Sequence, residues 1–134
     1  MATSLIPGWI ADEKGFDVAR AKKLADTYRR LRHLLVGGYY PLTPYSRDGK
    51  HWMGLQFHRP DLGEGLVLVI PPRDSADRSR LLKLYDLVPA ATYEVQAEIK
   101  GQREQKTGAE LMKGLLVALP TGDGGERIVY RKLP

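Results

Sequence analysis

The chain has 134 residues, 43% of them hydrophobic, and a formal net charge of +5. That length suits one domain with a real core. It contains no cysteine, which excludes disulfides and thiolate sites, and no apolar run of about 18 residues, which excludes a spanning helix. Met1 to Trp9 lacks a basic n-region and a long apolar h-region, so no secretory signal is expected and a cytoplasmic protein fits. The charge is uneven. Arg20, Lys22, Lys23, Arg29, Arg30 and Arg32 face only Asp17 and Asp26 within one short segment. A solvated basic face is the simpler reading; nucleic acid or another acidic partner is the alternative and is not favoured.

Residues 1–16 read as a loop in which Trp9 and Ile10 are expected to pack. Asp17 is a candidate N-cap, because its carboxylate can accept from free first-turn amides. From Val18 to Leu35 the period is helical, with Ala21, Leu24, Ala25, Tyr28, Leu31 and Leu35 in one stripe. Arg32 breaks the stripe, either by snorkelling or by pairing with a carboxylate across an interface. Gly37 and Gly38 are expected to end the helix in the left-handed conformation.

Beyond Gly38 the period falls to two. Tyr39 and Tyr40 lead into Pro41 and Pro44, residues suited to edges and bends. His51–Phe57 reads as a strand, with Trp52, Gly54 and Gln56 opposite His51, Met53, Leu55 and Phe57. Arg59 to Gly65 is a tight turn into a buried strand, 65–70. Arg80–Leu87 reads as another strand, and Tyr93 to Ile99 alternates cleanly with one wet face. The run L-x-P-x-x-x-Y at 87–93 has the form of a tyrosine corner, whose hydroxyl bonds backbone upstream. Gly101–Lys106 reads as a polar turn, 107–113 as a short strand or one helical turn, with an irregular strand-like segment favoured, 115–119 as a buried strand, Thr121 to Gly125 as a flexible turn and 127–133 as the last strand.

Six to eight strands with no helix between them imply antiparallel pairing. The expected fold is mainly β: an antiparallel Greek-key β-sandwich (38–134) preceded by a loop and one N-terminal amphipathic α-helix (1–37).

Chemistry is sparse. His51 and His58 are separated by an odd number, so they face opposite ways on a continuous strand, and no metal or cofactor site is expected. Asp61 and Glu64 are the nearest carboxylate pair in the 38–65 stretch, but they sit in a Pro/Gly turn where local backbone bonding is the simpler role. Ser4, Ser46, Ser75 and Ser79 show no adjacent base. Tyr39, Tyr40, Tyr45 and Trp52 cluster in sequence and could stack sugar rings or pack the helix–sandwich joint.

Several motifs resemble one family. Y-Y-P-L-T-P-Y-S at 39–46, W-M-x-x-Q-F-x-R-P-D-L-G-E-G at 52–65, L-x-P-x-A-x-Y-x-V at 87–95 and G-A-E-L-M-K-G-L at 108–115 resemble the C-terminal end of glycoside hydrolase family 36 α-galactosidases. The likeness runs from near Asp17, where Ala21-Lys22-Lys23-Leu24 looks like the start of the last barrel helix, to Tyr130-Arg131-Lys132. One departure is that Gly37-Gly38-Tyr39-Tyr40 stands where the family usually carries an aspartate after the first glycine.

In that family the catalytic aspartates lie on the (β/α)₈ barrel, so the resemblance implies no catalytic residue here. A barrel needs more than about 200 residues, and the matched part follows it. The expectation is a non-catalytic accessory domain of an α-galactosidase-like enzyme, as a fragment or a natural stand-alone protein. It would steady the barrel or its oligomer, and without a barrel the stripe Leu24, Tyr28, Leu31 and Leu35 would fold onto the sandwich or pair with another copy. The alternative is a carbohydrate-binding module using Tyr39, Tyr40, Tyr45 and Trp52. A generic sandwich interaction domain is a third.

Overall fold

The computed structural model describes residues 14–73, 76–119 and 124–134. The expected packing of Trp9 and Ile10, Ser4, Ser75 and most of the 121–125 turn lie outside the described residues.

Helix α1 spans Val18–Leu31 and starts as expected, with the Asp17 carboxylate accepting from the Arg20 N–H at 2.8 Å. It stops four residues earlier than Leu35. Arg32 is its C-cap, and the chain tightens into i→i+3 turns, Leu34 N–H to Leu31 O and Gly37 N–H to Leu34 O. These turns let Leu31 and Leu34 both bury against Leu66, with Leu35, Leu68 and Val129 around them. Gly37 and Gly38 are therefore not a left-handed cap, and neither has a positive φ. Gly37 is required for another reason: a Cβ there would lie 2.2 Å from the His58 carbonyl oxygen.

Eight strands follow, all antiparallel: β1 (Gly38–Pro41), β2 (Met53–Arg59), β3 (Glu64–Ile70), β4 (Ser79–Leu82), β5 (Thr92–Ala97), β6 (Gln102–Thr107), β7 (Leu115–Ala118) and β8 (Glu126–Lys132). Six form one sheet in the order β1-β2-β3-β8-β5-β6, and β4 pairs with β7 in a second. The last strand thus inserts between the third and the fifth, and the fold is the expected antiparallel β-sandwich. Its core lies between the sheets, where Trp52, Val67, Val69, Tyr93, Val95, Ile128 and Tyr130 meet Leu82, Leu115 and Val117. The end of α1 and the turns after it cover part of the outer face of the large sheet. No helix among the described residues is long and apolar enough to cross a membrane.

Three segments differ from the sequence reading. The strand expected over Arg80–Leu87 ends at Leu82, because Gln56 captures the next backbone: its side chain accepts from the Tyr85 N–H and donates to the Tyr85 carbonyl, both at 2.8 Å. Gly101–Lys106 is not a turn; residues 102–107 form edge strand β6 against β5. The turn before it is tied by Glu126, whose buried carboxylate accepts from the Ile99 and Lys100 N–H groups. The 107–113 segment is a second helix, α2 (Gly108–Lys113), with a capping box between Thr107 and Glu110 and with Leu111 wholly buried.

The tyrosine corner is present. The Tyr93 hydroxyl accepts from the Val88 N–H at 3.0 Å, a bond worth about 1 kcal/mol in a buried setting.

Candidate functional site

The stretch from Gly38 to Gly65 supplies most of the chemistry, and the structure distributes it over three places. The four aromatic residues of the sequence reading do not form one platform. Tyr39 sits on the Phe57 ring at 5.5 Å between centroids. Tyr40 stacks on Tyr85 at 5.7 Å and donates its hydroxyl to Asp86 at 3.0 Å, which raises the phenol's pKa. Trp52 is only 6% exposed, in the core, whereas Tyr45 is 78% exposed on the turn before β2. Alternation along β1 sends Tyr39 and Tyr40 to opposite faces.

Inside the sandwich, β2 and β8 bring together Gln56, His58 and Tyr130. Gln56 Nε2 donates to the Tyr130 hydroxyl at 2.9 Å, and that hydroxyl lies 2.9 Å from His58 Nδ1. The Tyr130 hydroxyl thus bridges the Gln56 amide and the His58 ring. Burial holds the His58 pKa below its ordinary value; the nearby Asp86 and Asp61 carboxylates and the Glu64 and Asp86 carbonyls oppose this without cancelling it. Burial raises the Tyr130 pKa. Such a chain organises the core; it opens onto no reacting group.

The two carboxylates of the 59–65 turn are held by neighbouring side chains, Arg59 and His33. Asp61 makes two bonds to Arg59, at 2.8 and 2.6 Å, which lowers its pKa. Glu64 lies 3.1 Å from His33 Nε2. Arg59 also donates to the His33 carbonyl at 2.9 Å, so the hairpin turn is fastened to the end of α1. A second clamp joins helix to sheet: Arg30 makes a bidentate pair with Glu98 at 2.8 and 2.7 Å. The cross-interface ion pair weighed for Arg32 is thus made by Arg30, while Arg32 is exposed.

One group was not legible in the sequence. Ser46, thought to lack a base, has its hydroxyl 3.3 Å from His51 Nδ1, because the 46–51 turn folds back on itself. Asp48 binds both: it accepts from Ser46 at 2.6 Å, lies 3.1 Å from the same His51 Nδ1 and is held at a pKa of about 2, chiefly by Ser46. A serine nucleophile needs its base nitrogen opposite the one the carboxylate orients. Here serine and carboxylate share one nitrogen, so the trio is a turn lock. The signal that could have found it is the S-x-D-x-x-H spacing across a glycine turn.

No family model matches the chain, and no curated protein matches it. Solved structures do. A family 36 α-galactosidase, AgaB from Geobacillus stearothermophilus, is 25% identical over 92% of this chain and 17% of its own, with a TM-score of 0.68. The α-galactosidase from Lactobacillus brevis is 18% identical over 92% of this chain and 18% of its own, with a TM-score of 0.72. The galactosidase domain of the α-galactosidase–sucrose kinase AgaSK is 22% identical over 85% and 16%, with a TM-score of 0.67. The fold is therefore a glycoside-hydrolase β-sandwich. More narrowly, it is that of the small C-terminal domain of family 36 α-galactosidases, the family the 39–65 motifs resemble. The chain spans less than a fifth of each of these enzymes.

Proposed function

We propose that this chain is the non-catalytic C-terminal accessory domain of an α-galactosidase-like glycoside hydrolase, acting in the cytoplasm by steadying a catalytic (β/α)₈ barrel. The observation that carries it is the match of nearly the whole chain to a small part of large α-galactosidases. The surface supports it. Leu31 is buried against the outer face of the large sheet, while Val18 and Leu24 near the start of α1 stay exposed. One helix thus packs on its own sheet at one end and leaves apolar groups open to a second partner at the other. Exposed apolar groups near one end of a helix suit a docking face. A second copy of this chain meeting the same Leu24 and Tyr28 face is the competing occupant.

The test is association in trans. A family 36 barrel produced without its sandwich should bind this chain with a Kd of about 1 μM or below, and Leu24→Asp should weaken it about tenfold or more. Calorimetry showing no heat, with light scattering reporting a dimer of this chain alone, would favour the second copy.

A further inference from the structure

We infer, on the reading that a barrel receives this domain, that the Leu24 face of α1 docks on an acidic surface with an apolar centre and not on a second copy of this chain. At about 100° per residue, Val18, Ala21, Leu24, Ala25 and Tyr28 fall within one arc of about 120°. Arg20 borders that arc on the Leu24 side, and Lys22 and Arg29 border it on the Val18 side, with Arg32 at the C-cap. Phe16, Arg20, Ala21 and Leu24 line one shallow cleft, so a partner entering it meets cation and apolar groups together.

The charge of that rim is not matched by the helix itself. Arg20, Lys22, Arg29 and Arg32 are all exposed. Arg29 pairs with Asp26 at 3.1 Å, while Arg20, Lys22 and Arg32 make no ion pair among the described residues. The other nearby carboxylate, Asp17, is engaged by the Arg20 N–H as the N-cap. No acidic residue stands in the first turn, so beyond the Asp17 cap nothing local offsets Arg20 and Lys22 near the positive end of the helix dipole. Carboxylates on a partner would relieve both the rim and the dipole.

The apolar centre and the cationic rim together select the occupant. In a two-fold pair the same face meets itself, so the rim of one copy would lie against the rim of the other. Two chains of net charge +5 add to that repulsion. Nucleic acid would satisfy the cations but leave Val18 and Leu24 bare. An anionic lipid surface asks for a deeper apolar face than these two exposed side chains, and the Arg30–Glu98 clamp holds the other end of the helix to the sheet. A folded surface with an apolar centre and carboxylates around it meets both halves of the pattern.

Calorimetric titration of a family 36 barrel with the full chain, at about 50 mM and about 500 mM NaCl, tests the assignment. The Kd should weaken about tenfold at the higher salt. Arg20→Glu combined with Lys22→Glu should weaken it about tenfold or more at the lower salt. Acidic groups near a helix N-terminus suit the dipole, so this variant should keep the parent's melting temperature. Lys83→Glu combined with Lys113→Glu makes the same change in net charge at exposed positions outside α1, and it should bind as the parent does. Light scattering of the chain alone at the lower salt should report a monomer. A Kd indifferent to salt, equal losses in the two double variants, a dimer of the chain alone, or tighter binding to phosphatidylserine vesicles or duplex DNA than to the barrel would each overturn the assignment. No binding to the barrel at either salt overturns the barrel reading as well, whereas salt-independent binding leaves that reading standing.

Discussion

Gly65→Ala should cost about 3 kcal/mol of folding stability, enough to remove most of a small domain's margin. A Cβ at Gly65 would lie 2.1 Å from both Cζ and the hydroxyl oxygen of Tyr130, and 2.6 Å from the Phe57 carbonyl oxygen. None of these can give way cheaply. Tyr130 is 0% exposed, it packs edge-on against Tyr93, and its hydroxyl is tied to Gln56 and His58. Backbone at Phe57 is fixed in the β2–β3 ladder, where Phe57 pairs with Leu66. Gly101 is the control. Its φ is +70° with nothing within 4 Å of an added Cβ, so Gly101→Ala should cost only about 1 kcal/mol, the penalty of the left-handed conformation. Urea denaturation of both variants checks the contrast. Equal losses would show that conformation, not close approach, sets the need for glycine at residue 65.

Acid should loosen this fold through His58. The ring is 2% exposed and its pKa in the folded chain lies below the ordinary 6.5, chiefly through burial. Above that ordinary value both states are neutral, so His58 adds no pH dependence. As pH falls through it, the unfolded chain takes a proton that the folded chain refuses, and stability drops until the folded pKa is reached. One such group gives a slope of at most about 1.4 kcal/mol per pH unit. The groups facing the ring are Tyr130 from β8, the Asp61 carboxylate and the Glu64 backbone carbonyl from the hairpin, and Asp86 from the segment after β4. The carboxylates among them limit the drop but do not reverse its sign. Denaturation midpoints between pH 7.5 and 5 should fall for the parent. The His58→Asn variant should start less stable at neutral pH and show a shallower slope. An unchanged slope in the variant would contradict His58 as the origin.

Local signals carried much of the fold. Asp17 marked the start of α1, the Arg59 to Gly65 turn marked the first long hairpin, and the 87–93 run announced the Tyr93–Val88 bond. Each is a contact within a few residues, which a sequence displays. The failures share the opposite property. Strand β6, Gln102 to Thr107, has no apolar member, because an edge strand with exposed faces needs none; only its partner β5 makes it a strand. Strand β4 stops where Gln56, distant in sequence, takes the Tyr85 backbone. Helix α2 is six residues long, too short for a period, although its Thr107-x-x-Glu110 box was in view. The sequence leaves Trp52 either to stack a sugar or to pack the helix–sandwich joint; it packs, but in the core between the sheets, on the same strand face as Gly54 and Gln56. The cleft that Tyr45 and Arg80 both line needed three dimensions, since β4 and the 43–52 segment are distant in sequence.

The central claim is that the motifs at 39–65 mark an α-galactosidase lineage without carrying its chemistry. Asp61 and Glu64 are tied to Arg59 and His33, and Ser46 shares a nitrogen with Asp48. The most direct measurement is turnover of a fluorogenic α-galactoside by the purified chain alone. The account predicts a rate indistinguishable from the protein-free blank. Turnover above blank that co-purifies with this chain would contradict it.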